Sequence, residues 1–307
     1  MRSSPTSAPR SYGVTATAAD VPDPAAPTWR SLYDHARRRL GSEHEARRII
    51  ERASGTESAA WHVVIDDPAP ARAVPFLNDL VERRATGEPL QYVVGRWGFR
   101  TLDLYIDRRV LIPRPETETV VEVALETVHA LIGDGPCVVA DLGTGSGAIA
   151  LSLATELPAT QVWATERSPD ALAVARANLA GLSGSAAPRV RLVEGSWFDP
   201  LPASLRGRLD LVVANPPYVA AGEPLSPEVA DWEPADALIS GPTGLEAIEA
   251  IVGAAPEWLA RPAALVVEIA PHQAGAARAI AGNAGFGSVE VRPDLTGRPR
   301  ALVALHQ

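Results

Sequence analysis

The sequence predicts an α/β protein: a seven-stranded, mostly parallel sheet covered on both faces, with a small N-terminal helical domain joined to it by a β-hairpin. Three observations carry this. From Pro136 onward, short aliphatic runs alternate with helical segments, as repeated strand–helix units do. A glycine turn formed by Gly143, Gly145 and Gly147 follows the first of these strands directly. Ahead of residue 85, apolar residues recur at helical spacing instead.

The 307 residues are enough for two domains. Residues 1–28 are rich in Ser, Pro, Ala and Thr and lack the apolar core of a secretory signal, so a disordered tail is expected. A transit-like segment is the alternative. Residues 29–88 form the helical domain. Leu32, Ala36 and Leu40 repeat at i, i+4, i+8, Ser42 and Glu45 are spaced as a capping box, and Phe76, Leu77, Leu80 and Val81 line a further helical face. Gly87 marks its end. The arginine clusters 37–39, 47–48 and 83–84 read as solvated helix faces. Residues 89–118 are the linker. From 90 to 112 the character is β, with Leu102, Leu104 and Ile106 alternating as in a hairpin, until Pro113 and Pro115 break it.

Residues 119–307 form the larger domain. After the helix "TVVEVALETVHALI" come the strands "CVVADLG", "QVWATE", "RVRLVEG", "LDLVVA", "AALVVEIA", "GSVEVR" and "RALVALH", with helices between. Ser168 followed by Pro169 is an N-cap with proline at the first helical position. The last two strands look like a hairpin edge.

Composition removes several chemistries. There is no lysine, so neither a Schiff base nor a P-loop lysine is possible. The single cysteine, Cys137, lies in an apparent buried strand and reads as a core residue. The six histidines form no ligand-spaced pair, and no metal site is expected. No apolar run approaches the ~20 residues that span a bilayer, and a cytoplasmic location is the default. Net charge is −9, concentrated in residues 119–307, where 11 arginines face 21 acidic residues. Such a half is a poor surface for sequence-independent phosphate binding.

"DLGTGSGAIA" runs from a strand through a glycine turn into a helix, the arrangement that holds a nucleotide-like ligand at a sheet's carboxyl edge. Gly143-x-Gly145-x-x-Ala148 also fits a relaxed dinucleotide fingerprint. Asp141 argues against a diphosphate, because a carboxylate there suits an ammonium or sulfonium. Glu166, ending the next strand, can accept two ribose hydroxyls, and Trp197 can stack on an adenine face. In "NPPYV", Pro216 and Pro217 end the strand before them and stiffen the loop. Asn215 Oδ1 and the Pro216 carbonyl are two acceptors for a planar NH₂ group, with Tyr218 able to lie against its plane. Taken alone, the loop leaves open whether that group is an amide or an exocyclic base amine.

Together these residues resemble class I S-adenosylmethionine-dependent methyltransferases of the Asn-Pro-Pro-Tyr amino-group type. "GEPLQYVVGRWGF" (87–99), "LIPRPETE" (111–118), "DLGTGSGAIAL" (141–151), "NPPYV" (215–219), "EP…AL" (233–238) and "DLTGRPR" (294–300) narrow the resemblance to the HemK/PrmC family, over residues 29–307. The resemblance implies a Rossmann-like catalytic domain with S-adenosyl-L-methionine as cofactor. It further implies methyl transfer to the N5 amide nitrogen of the glutamine in the Gly-Gly-Gln loop of class-1 release factors. Asp141, Gly143, Thr144, Gly145, Ser146, Gly147, Glu166, Trp197 and Asn215 would bind the cofactor. Asn215, Pro216, Pro217 and Tyr218 would hold the glutamine, with Asn215, Pro216 and Tyr218 catalytic. Glu166 stands where Asp is usual, "GPTGLE" (241–246) varies a more glycine-rich segment, and "DWEP" has Trp for Tyr or Phe. A monomer is expected, with release factor as protein substrate and no direct nucleic-acid or membrane partner. The competing readings are an adenine-N6 or rRNA guanine-N2 methyltransferase using the same loop, and an NAD-dependent oxidoreductase, which leaves "NPPY" unexplained.

Overall fold

A computed structural model describes residues 26–56 and 58–307; the expected tail lies outside these residues except for its last three positions. The chain divides into two compact units between Val94 and Gly95.

The first unit is helical. Helix α1 (Trp29–Leu40) is capped by Thr28, whose Oγ1 accepts from the Ser31 N–H at 3.3 Å. In α2 (Glu43–Ser54), Ser42 Oγ accepts from the Glu45 N–H at 3.2 Å. The reciprocal half of the expected capping box is replaced, because Glu45 Oε1 accepts from Arg84 Nη2 at 2.8 Å. A short α3 (Trp61–Val64), α4 (Ala73–Ala85) and α5 (Leu90–Val94) complete the unit. Leu32, Ile49, Ile50, Leu77, Leu80 and Val93 share one buried core. Burying each large aliphatic side chain contributes roughly 1.5–3 kcal/mol.

Two expectations change here. Phe76 is 40% exposed, with the Arg52 guanidinium 5.9 Å from its ring centroid, while Leu77, Leu80 and Val81 do face the core. Residues 90–94, expected as β, are helical and pack against α2 and α4. Leu90, Tyr92, Val93 and Val94 are all buried, and periodicity cannot distinguish a short fully buried helix from a buried strand. The arginine clusters are partly ion-paired: Arg83 meets Glu88 at 2.6 Å and Arg39 meets Glu82 at 3.0 Å.

The second unit opens with the hairpin β1 (Arg96–Phe99) and β2 (Leu102–Tyr105), paired antiparallel. In α6 (Pro115–Ile132), Pro115 occupies the first turn, so "PRPETE" starts the helix as well as ending the extended segment. There follow β3 (Cys137–Leu142), α7 (Ala148–Glu156), β4 (Thr160–Glu166), α8 (Pro169–Gly181), β5 (Val190–Glu194) and β6 (Leu209–Ala214). After β7 (Val219–Ala220), α9 (Pro227–Ala230) and β8 (Ile239–Gly241) come α10 (Glu246–Trp258), β9 (Leu259–Glu268), α11 (Ala274–Asn283), β10 (Ser288–Pro293) and β11 (Pro299–His306).

The seven-stranded sheet has the order β10-β11-β9-β6-β3-β4-β5. β9, β6, β3, β4 and β5 run parallel, while β11 is antiparallel to both β9 and β10. The final two strands form the expected hairpin at one edge of the sheet, with β10 outermost and β11 joining it to β9. From β3 the chain winds outward through β4 and β5, then crosses back to place β6 on the other side of β3. A crevice opens at the carboxyl ends of the strands where the winding reverses. The motif-bearing ends of β3, β4 and β6 all meet there.

Candidate active site

β3 delivers Asp141 and Leu142 into a loop whose backbone is fixed by β4: the Gly143 and Thr144 N–H groups both donate to the Thr165 carbonyl at 2.9 Å. Gly143 has φ +74, and a Cβ there would stand 3.1 Å from the Trp197 ring. The glycine thus lets the ring close down over the loop. Gly143, Thr144, Gly145 and Ser146 line a cavity with Glu166, Trp197, Asn215, Pro217 and Thr117. Gly147, at φ +87, sits just behind them as the N-cap of α7. The hairpin also reaches this loop: Asn178 on α8 donates to the carbonyls of Tyr105 (2.9 Å) and Ser146 (2.8 Å).

Glu166 holds both sides of the cavity mouth. Its Oε2 accepts from the Gly145 N–H and its Oε1 from the Ser168 N–H, each at 2.9 Å. Each oxygen keeps lone-pair capacity toward the cavity, which Glu166 lines. The longer arm of Glu is accommodated by these two anchors. Trp197, also at a positive φ of +47, projects from the loop after β5.

Asp141 behaves differently from the direct-ligand expectation. It is fully buried and does not line the cavity. Its Oδ2 accepts from Thr144 Oγ1 at 2.6 Å and from the Ala150 N–H at 3.0 Å, tying the loop to the first turn of α7. Burial pushes its carboxyl up to about 7, because desolvation outweighs the hydrogen bonds from Thr144 and Ala150 and the nearby Glu166 charge adds to it.

"NPPYV" leaves β6 at the opposite wall. Asn215 and Pro217 line the cavity, whereas Pro216 is buried and Tyr218 lies outside the lining. Asn215 Nδ2 donates to Thr117 Oγ1 at 3.1 Å, and Thr117 Oγ1 donates to Glu268 Oε2 at 2.7 Å. The Tyr218 hydroxyl donates to the other oxygen, Glu268 Oε1, at 3.4 Å. Tyr218 is thereby anchored from behind, and burial raises its hydroxyl pKa. Glu268, at the end of β9, is fully buried and pushed up to about 7, with desolvation outweighing Thr117 and Arg300.

Behind the loop, Gln273 Nε2 donates to two carbonyls, Tyr218 at 2.9 Å and Gly244 at 3.0 Å. Gly244 has φ +78, and a Cβ would lie 2.7 Å from the Tyr218 carbonyl oxygen. Its segment, "GPTGLE", begins at the end of β8, which pairs alongside the loop, with Val219 opposite Ile239 and Ala220 opposite Gly241. "LIPRPETE" and "EP…AL" are joined as well: Glu233 accepts from Arg114 and from the Ile112 N–H.

The structure brings residues 143–146, Glu166, Trp197, Asn215 and Pro217 to one cavity and leaves Asp141, Pro216 and Tyr218 outside its lining. It adds Thr117 to that lining, with Glu233, Glu268 and Gln273 behind; sequence reasoning assigns these last four no role. One signal was available for Glu268, a carboxylate directly after the aliphatic run "AALVV" of a central strand.

Residues 125–231 match the Methyltransferase small domain family and residues 32–95 the PrmC N-terminal domain family. The chain is 43% identical over 240 residues to the release factor glutamine methyltransferase of Xylella fastidiosa (strain Temecula1), covering 78% of this chain and 84% of that one. It is 43% identical over 244 residues to the protein of the same name from Mycolicibacterium smegmatis (78% and 82% covered), and 39% over 263 residues to that of Streptomyces coelicolor (85% and 89%). Among solved structures, the hMettl16 catalytic domain in complex with the MAT2A 3'UTR hairpin 6 superposes with a TM-score of 0.52 at 17% identity, covering 74% of this chain and 81% of that one. At that identity the likeness is one of fold alone. A methyltransferase fold, relatives of one name spanning most of both chains, and a carboxyl-edge cavity walled by "DLGTGSG" and "NPPY" agree: the chain belongs to the release factor glutamine methyltransferase family.

Proposed function

We propose that this protein transfers the methyl group of S-adenosyl-L-methionine to the side-chain amide nitrogen, N5, of the glutamine in the Gly-Gly-Gln loop of class-1 peptide-chain release factors. The observation that carries this is the orientation of Asn215. Its Nδ2 is turned onto Thr117, which leaves Oδ1 as an acceptor toward the cavity. Among the described residues no donor reaches Oδ1.

The residues fit the methyl donor. Gly143 to Ser146 present loop backbone to the cavity, Glu166 offers carboxylate oxygens for ribose hydroxyls, and Trp197 provides a flat apolar wall. Asp141 serves from beneath, by fixing Thr144 and the start of α7. When bound, the sulfonium supplies an already activated methyl group, so the protein's task is chiefly positioning.

The amide nitrogen is a poor nucleophile because its lone pair is delocalised. Asn215 Oδ1 and the Pro216 carbonyl accept its two hydrogens, which favours charge development on nitrogen as the bond forms. Pro216 and Pro217 keep these acceptors from moving with the substrate. Tyr218, held by Glu268, steadies the far side of the loop.

A nucleic-acid exocyclic amine would meet the same acceptors, but the net −10 of residues 119–307, counted from 11 Arg and 21 acidic residues, disfavours a polyanionic partner. No helix among the described residues is long and apolar enough to cross a membrane. We take the protein to act in the cytoplasm, as a monomer, with the helical unit engaging the body of the release factor. Mass spectrometry of release-factor peptides after incubation with enzyme and cofactor tests the proposal. A 14 Da increase (one methylene) on the Gly-Gly-Gln glutamine is expected; label found only in rRNA or DNA offered alongside would overturn it.

A further inference from the structure

The buried carboxylate of Glu268 does not itself line the cavity, yet both ends of the "NPPY" loop end on it. Through Thr117 it reaches Asn215, and directly it takes the Tyr218 hydroxyl. We propose that Glu268 and Thr117 are positioning residues that fix which face of the Asn215 amide meets the substrate. The inference rests on the methyl-transfer reading above and deepens it.

The directionality follows from donor counting. An ionised carboxylate only accepts, so Thr117 must spend its single O–H hydrogen on Glu268 Oε2. Thr117 Oγ1 then has only lone pairs left for Asn215, which obliges the Asn215 amide to turn Nδ2 toward it. Oδ1 is consequently left facing the cavity. If the acceptor were replaced by a group that donates to Thr117, its hydroxyl would be released to donate to Asn215 instead. Asn215 could then present NH₂ to the cavity, and an incoming NH₂ group would meet donors where it needs an acceptor. Rotating an asparagine amide by half a turn changes almost no volume, so packing alone cannot make this choice.

Glu268 is surrounded by an identifiable set of groups. Arg300 on β11 approaches its Oε1 at 3.9 Å and is shared with Asp294 at 3.7 Å. Glu116, in the first turn of α6, acts against its charge, and Tyr218 donates to it from the loop after β6. The carboxyl is pushed up to about 7, so the ionised state prevails at pH 8. Thr117 is 4% exposed and Glu268 fully buried, so bulk water does not substitute for either partner.

Three variants of the full chain test this at pH 8: Thr117→Val, Thr117→Ser and Glu268→Gln. Each is assayed for methyl transfer to intact release factor, S-adenosylmethionine affinity by calorimetry, and melting temperature. Thr117→Val and Glu268→Gln should lower kcat about 30-fold or more, as misplacement of a substrate-orienting group does. Cofactor Kd should stay within about threefold, and Thr117→Ser should recover most of kcat because it restores the hydroxyl. The inference is overturned if Thr117→Val keeps parental kcat, if Thr117→Ser is as impaired as Thr117→Val, or if the losses track melting temperature and cofactor Kd equally. Should Glu268→Gln fail to fold, the Thr117 pair decides alone. A parent enzyme that leaves the glutamine unmethylated overturns the functional reading and this inference together; an active parent with unaffected variants overturns the inference only.

Discussion

Gly244→Ala is a one-carbon perturbation placed away from the cavity lining, and its effect should be large. The residue has φ +78, where an alanine costs roughly 1–2 kcal/mol through its Cβ alone. That Cβ would lie 2.7 Å from the Tyr218 carbonyl oxygen and 3.1 Å from the Ala220 nitrogen. Neither atom can retreat cheaply, since the carbonyl is held by Gln273 at 2.9 Å and Val219 is paired with β8. Relief of this contact adds a comparable amount, for a total on the order of 2–4 kcal/mol. For a unit of about this size each kcal/mol lowers Tm by ~2–4 °C. A fall of about 4–16 °C is therefore expected by scanning fluorimetry. Because the displaced atoms belong to "NPPYV", kcat for release-factor methylation should drop by about 10–100-fold, as small misplacements of orienting groups do. The glycine loop and Glu166 are untouched, so cofactor Kd measured by calorimetry should move by less than about threefold. Parental Tm together with parental kcat would show that the segment after β8 does not support the loop.

Other outcomes follow from the same geometry. Asn215→Ala should reduce methyl transfer by about 100-fold or more while weakening cofactor affinity far less, read by kinetics and calorimetry side by side. Glu166→Gln keeps the shape but removes the charge that accepts from the Gly145 and Ser168 N–H groups; cofactor Kd should rise by about tenfold, with kcat at saturation changed less. Asp141 and Glu268 are both raised to about 7, so the stability tied to their neutral forms is complete below their unfolded values near ~4 and lost as pH rises to about 7. Melting temperatures compared at pH 5 and pH 8 should show this component shrinking in Asp141→Asn. Deleting residues 29–85 should weaken use of intact release factor more than use of a short glutamine peptide; equal losses on both would remove the proposed role of the helical unit.

The sheet is legible in the sequence because parallel strands buried on both faces read as unbroken aliphatic runs, as in "LDLVVA". The cavity walls are legible because glycine and proline carry backbone information: "DLGTGSG" and "NPPY" state where the chain turns and stiffens. Leu90–Val94 is illegible for the opposite reason, since burial on all sides erases the period that would separate helix from strand. The β10–β11 hairpin edge is legible from its two alternating strands and the short turn between them, whereas the antiparallel pairing of β11 with β9 is non-local and no local pattern encodes it. Asp141 shows a different limit. Its spacing ahead of the glycines is right for a ligand, but only the fold reveals that its carboxylate turns inward to Thr144 and Ala150. Thr117 and Glu268 meet across 151 residues, so nothing in either neighbourhood announces the partnership.

Gln273 has a consequence of its own. Its side-chain NH₂ is held between two backbone carbonyls, those of Tyr218 and Gly244, in a residue only 4% exposed. This is the same hydrogen-bonding pattern proposed for the substrate glutamine between Asn215 Oδ1 and the Pro216 carbonyl. The protein thus contains a permanent internal standard for its own recognition event. In a spectrum of the side-chain amides, the buried Gln273 pair marks where a doubly held, unmethylated NH₂ resonates, against which a bound release-factor glutamine can be identified before it reacts.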